Sequence, residues 1–208
     1  MKTAGYGSAP ILQAKKPRSI VIVGRPGSGK DVCASYFKEL LPGTKIINLG
    51  DIVRGYSLLK YGRVDRGSLQ KASINIRELF GEDIVASLAI HSAGESKTKT
   101  KPKWVLFNGL RDVAELRRIQ EEFNTVVVAI DVPAVERYTR LARRDRKDDS
   151  RDVRRLIIRD ADEDKWSKID RLIEIADVTI ENGGSLAQFK ARIRDLAKTL
   201  ETSFRTPI

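Results

Sequence analysis

The stretch GRPGSGKDV, Gly24 to Val32, follows the apolar run SIVIV and gathers the residue types needed to hold a chain of phosphates. Gly24, Gly27 and Gly29 let backbone wrap an anion and point N–H groups inward, while Arg25, Pro26 and Ser28 complete the turn. Lys30 adds a mobile positive charge, and a helix opening there adds its positive dipole end, with Asp31 and Val32 in its first turn. The pattern is G-x-x-x-x-G-K-[ST] at every position but the last, where Asp31 replaces the hydroxyl that ordinarily coordinates magnesium. The acidic residue that assists such a hydroxyl stands at the end of another strand. Here WVLFNGLRD puts the neutral Asn108 at that position. Asp31 and Asn108 together carry one negative charge, as the usual hydroxyl and carboxylate do, so the expected magnesium ligands are Asp31 and Asn108, with the carboxylate moved across the site. The competing reading makes Asp31 a first-turn residue favoured by the helix dipole.

These residues need a strand before them and a helix after. Apolar runs and their punctuation predict strands at Ser19–Val23, Lys45–Asn48, Trp104–Asn108, Thr125–Asp131 and Asp177–Ile180. Segments of helical period lie between them: Lys30–Leu41, several pieces over Ile52–Ser92, Val113–Phe123, Ala134–Arg144, Arg151–Ile175 with breaks, and Ser185–Ser203. Continuous runs such as TVVVAID suit strands buried on both faces, which predicts an α/β fold of three layers around a five-stranded parallel sheet. A basic tail is expected over residues 1–18 and one domain over 19–205, with an insertion at about 50–102 and a lid at about 143–160.

Composition removes several chemistries. One cysteine among 208 residues excludes an intramolecular disulfide and a multi-cysteine zinc site, and one histidine argues against a Ser-His or Cys-His relay. Cys33 and both tryptophans, Trp104 and Trp166, are expected to pack rather than react or stack on a ligand. No apolar run approaches the roughly 20 residues of a membrane span, and the N-terminal segment lacks a signal-peptide core, so a cytoplasmic location is expected. The net charge of +11 fits anionic partners without choosing among them. Lysines in KTKTKPK suit a solvated loop, whereas the arginines from Arg137 to Arg159 follow a helical pattern and have the guanidinium fork that binds phosphate.

Over roughly Ile20 to Leu196 the chain resembles nucleoside monophosphate kinases of the P-loop NTPase class, most closely an uncharacterised, largely archaeal group related to adenylate kinases. GRPGSGKD looks like the family's phosphate loop, and NLGDIVR resembles the segment that binds the acceptor's phosphate. NIRELFGEDIVA resembles the arginine-bearing helix that completes that pocket, and NGLRDVAELR the Asp-Gly-x-Arg segment, with Asn108 departing from Asp. RYTRLARRDRKDD with IIRDADED is similar to the Arg-rich lid, and IADVTIENGGSLAQFKARI to the last strand and helix. The resemblance implies ATP and magnesium as cofactors, with Gly24 to Val32 holding ATP and Lys30 contacting the transferring phosphate. It implies that Asp51, Arg54, Arg77 and Arg111 hold a small nucleotide acceptor. Arg140 and Arg144, from a pool that includes Arg143, Arg146 and Arg159, would supply transition-state contacts, and Asp160 and Asp162 would pair with lid arginines rather than bind metal. Phosphoryl transfer rests on positioning and charge rather than on covalent catalysis, so convergent arginines suffice and no histidine is required. Two alternatives stay open. The acceptor could be dephospho-coenzyme A or a polynucleotide end, or the protein could be a nucleotide-binding regulatory or RNA-associated module; nucleic acid is the less favoured partner.

Overall fold

A computed structural model describes residues 16–95, 101–143 and 152–203. Most of the expected basic tail, much of the Lys/Thr tract and the lid residues Arg144 and Arg146 lie outside the described residues, as does the side chain of Arg159. β1 (Arg18–Val23) runs through the phosphate-loop sequence into α1 (Lys30–Leu40), and the chain returns through β2 (Thr44–Asn48). Three helices follow, α2 (Leu49–Tyr61), α3 (Arg66–Phe80) and α4 (Ile84–Gly94), before β3 (Trp104–Asn108), α5 (Val113–Glu122) and β4 (Asn124–Asp131). The last part comprises α6 (Ala134–Arg143), α7 (Val153–Asp164), α8 (Ile169–Glu174), β5 (Val178–Glu181) and α9 (Leu186–Ser203).

The strands form one five-stranded sheet in the order β2-β3-β1-β4-β5, with every pairing parallel. Strand alternation divides the core in two. Ile20 and Ile22 face Phe37 of α1 and Phe189 and Leu196 of α9, while Val21 and Val23 face α2, α3, α4 and α5 through Leu49, Ile76, Val85 and Leu116. β4 is buried from Asn124 to Ile130, as its uninterrupted apolar sequence requires of a strand covered on both faces. The three-layer α/β architecture expected from the sequence is the one observed. α2 begins at Leu49, three residues before the predicted Ile52, because Asn48 ends β2 and is itself the residue before the helix.

β1 leads to β2 on one side of the sheet, and β4 pairs with β1 on the other. The order in which strands are added therefore reverses beside β1, opening a crevice beyond the carboxyl ends of β1 and β3, where open α/β sheets bind ligands. The register aligns Ile22 with Asn108 and Asn108 with Asn48, placing both asparagines at that edge. Among the described residues no helix is long and apolar enough to cross a membrane.

Candidate phosphate-transfer site

The loop between β1 and α1 needs glycine at Gly24, Gly27 and Gly29, each at a positive φ with no room for a Cβ. Gly27 has φ 80°, and a Cβ there would stand 2.9 Å from the carbonyl oxygen of Arg137. Gly29 has φ 96°, and its Cβ would stand 2.5 Å from Nδ2 of Asn182. That same Asn182 nitrogen donates to the carbonyl of Ser28 at 2.8 Å, so the residue after β5 fastens the loop from the far side. Lys30 folds back along the loop, its Nζ donating to the carbonyls of Gly24 at 2.7 Å and Arg25 at 3.0 Å. α1 starts after Gly29 without a side-chain cap, and the N–H groups that open a helix are the kind an anion takes. The hydroxyl of Ser28 is buried without a hydrogen-bond partner.

A cavity of about 690 Å³ opens against Lys30 and Asp31. Asp51, Arg54, Arg77, Asn108 and Arg111 all line it, so five residues expected from distant segments are brought to one space with the phosphate-loop lysine. Each expected arginine is already held by a carboxylate. Arg54 reaches Asp51 at 2.6 Å across one helical turn and is half-exposed. Arg77 Nε donates to Oε1 of the fully buried Glu115 at 3.1 Å. Oε2 of Glu115 accepts from the backbone N–H groups of Arg111 at 2.7 Å and Asp112 at 3.2 Å. Burial pushes the Glu115 carboxyl above the usual range, and the Arg77 guanidinium opposes that shift. Arg111 pairs with the buried Glu163 of α7, and its guanidinium lies 5.8 Å from the ring centre of Trp166.

Arg66, Arg155, Glu163 and Trp166 also line the cavity and were not expected there. Trp166, expected to pack, lies half-buried at the cavity wall against the Arg111 guanidinium, whereas Trp104 is buried in the core as expected. Cys33 is fully buried, and burial raises its thiol far above the range in which a thiolate forms. Val32 lies apart from the main cavity, in a separate shallow groove with Tyr36 and Lys190. Arg140 is directed to the β5–α9 connection, donating to the carbonyl of Asn182 at 2.6 Å and to Glu136 at 3.2 Å. Asp160 pairs with Arg137 of α6 and Asp162 with Lys165. The other expected lid residue, Arg144, is outside the described residues.

Asp31 and Asn108 meet directly: Nδ2 of Asn108 donates to Oδ1 of Asp31 at 2.9 Å and to Oδ1 of Asn48 at 3.1 Å. Both bonds use the amide nitrogen, which leaves Oδ1 of Asn108 buried with no hydrogen-bond partner. A carboxylate and an unsatisfied amide oxygen at the edge of this cavity are hard oxygen donors of the kind magnesium takes. The residues present fit such an ion. Among the described residues, no cluster of three or more His, Cys, Asp or Glu side chains is placed to hold a metal by itself.

No family model matches the chain. It is 33% identical over 195 residues to a UPF0200/UPF0201 protein of Archaeoglobus fulgidus, covering 91% of this chain and 59% of that one. It is also 33% identical over 183 residues to a UPF0200 protein of Sulfurisphaera tokodaii, covering 87% and 96% of the two chains. The chain thus spans about three-fifths of the length of the first relative and nearly all of the second. Among solved structures, TT1252 from Thermus thermophilus superposes with TM-score 0.59 at 18% identity, covering 90% of this chain and 98% of that one. Shikimate kinase from Bacteroides thetaiotaomicron superposes with TM-score 0.58 at 15% identity, covering 88% and 98%. At such identities the likeness establishes a shared fold alone.

Proposed function

The chain belongs to the UPF0200 family, and from that premise we propose that it transfers the terminal phosphoryl group of ATP to the phosphate of a nucleoside or deoxynucleoside monophosphate. The observation that carries this reading is one cavity lined by Lys30 and by Arg54, Arg77 and Arg111, cations from four separate elements or connections. An acceptor phosphate oxygen attacks the terminal phosphorus of ATP, the bond to the bridging oxygen breaks, and ADP leaves with that electron pair. The acceptor enters as an anion and needs no base to deprotonate it, in keeping with a site that lacks histidine.

The chain's own residues divide the work. The loop from Gly24 to Lys30 receives the polyphosphate of ATP, and Lys30 releases its two carbonyl partners to follow the phosphate that moves. Arg54, Arg77 and Arg111 orient the acceptor, with Arg77 held by Glu115 and Arg111 by Glu163. Asp31 and Asn108 would hold magnesium, which when bound neutralises phosphate charge. Arg66 and Arg155, absent from the sequence-based site, add cations to the same cavity.

A coupled assay with ATP, magnesium and a panel of mononucleotides tests the reading. Turnover with one or a few monophosphates is the expected result. Nucleotide binding without turnover across the panel would replace the kinase reading with that of a binding module.

A further inference from the structure

The phosphate loop touches α6, α7 and α8, and the contacts centre on a buried ion pair that takes no part in the reaction proposed above. Arg137 of α6 is only 5% exposed and Asp160 of α7 is also 5% exposed. The guanidinium fork of Arg137 reaches two acceptors at once: Nη2 donates to Oδ2 of Asp160 at 2.6 Å and Nη1 to the carbonyl of Pro26, inside the loop, at 3.1 Å. The Tyr138 hydroxyl donates to the same Asp160 oxygen at 3.2 Å. The backbone of Arg137 is against the loop as well, since any Cβ on Gly27 would meet its carbonyl. One residue before Pro26, Arg25 ties the loop to Asp164 of α7 at 2.8 Å and to Asp170 of α8 through two hydrogen bonds.

We propose that Arg137 and Asp160 are positioning residues that set the shape of the phosphate loop and bind it mechanically to α7, so that donor and acceptor sites move as one unit. α7 carries Arg155, Ile158 and Glu163 into the acceptor cavity while Asp160, on the same helix, holds Arg137 against Pro26. A shift of α7 toward a bound acceptor therefore pulls on the loop, and a loop ordered by polyphosphate fixes α7. The planar fork of arginine is needed because it spans both acceptors; a lysine ammonium is a point charge on a flexible stem. This inference rests on the reading of the loop as the ATP site, but its structural half can be tested without nucleotide.

Two variants separate positioning from mere stability. Arg137→Lys keeps a charge against Asp160 without the fork, and Arg137→Met/Asp160→Leu removes both ions so that neither is left buried and unpaired. Amide hydrogen exchange and ADP binding by calorimetry are measured on both, together with melting temperature. The expected result is a melting temperature near wild type, faster exchange at residues 25–29 with β1 unchanged, and an ADP Kd raised ~10-fold or more. In turnover, KM for ATP rises more than kcat falls. Unaltered exchange at 25–29 in a folded Arg137→Lys protein overturns the strut, as does full ADP affinity in the double variant. Wild-type protein that binds neither ADP nor ATP removes the donor reading instead, and exchange then decides the strut alone. If the double variant does not fold, exchange at 25–29 in Arg137→Lys decides: faster exchange supports the strut and unaltered exchange overturns it.

Discussion

Glu115 uses its two carboxylate oxygens in opposite directions, one on Arg77 across the cavity wall and the other on the backbone at the start of α5. Replacing it with alanine strands a nearly buried guanidinium, so Glu115→Ala is expected to lose about 3–5 kcal/mol of stability. Denaturant unfolding checks this. Substituting Lys30 with methionine keeps much of the side-chain volume and removes the charge; turnover is expected to fall about a hundredfold or more in the coupled assay. Asp31→Ala is expected to raise the magnesium concentration needed for half-maximal turnover, and full activity at wild-type magnesium would remove Asp31 from the metal site. Trp166 offers an optical handle, because Trp104, the only other tryptophan, is buried in the core. Binding of a mononucleotide is expected to change the emission of the wild-type protein and to leave that of Trp166→Phe unchanged.

At the scale of elements, strands were legible to within about one residue because each carries a short run of β-branched or apolar side chains near turn residues. The loop residues that need glycine were legible for the same reason, since backbone conformation is written locally. What stayed hidden were contacts across sequence distance. The pairing of Arg77 with Glu115 spans 38 positions, that of Arg137 with Asp160 spans 23, and that of Arg25 with Asp170 spans 145. DVAE at the start of α5 has the capping-box spacing, which signals a helix start, but it carries no hint that its glutamate also holds an arginine of α3. The place of Trp166 at the cavity wall was not legible because it sits just past a highly charged helix, and no periodicity in such a segment tells cavity wall from solvent. Asp65 caps α3 by accepting from the N–H of Ser68 at 3.1 Å, and that hydrogen bond holds its carboxyl below the usual range. A depressed folded-state value means the contribution is present above the ordinary carboxylate range, about pH 4, and is lost as pH falls through the lowered value. The stability advantage of wild type over Asp65→Ala, followed by denaturant unfolding, should therefore shrink on acidification and hold steady from about pH 5 to 7.

Across the whole molecule, the glycine-rich loop follows the first strand yet is completed by parts made last. Among the described residues β1 pairs only with strands that come much later in the chain, Asn182 closes over Ser28 from beyond β5, and Asp170 anchors Arg25. During synthesis, then, the emerging N-terminal half carries every glycine of the cradle but none of its braces. On the proposed function, competence to grip a nucleotide should arrive abruptly, once the polypeptide past Asn182 has cleared the ribosome, and half-made copies would not sequester ATP.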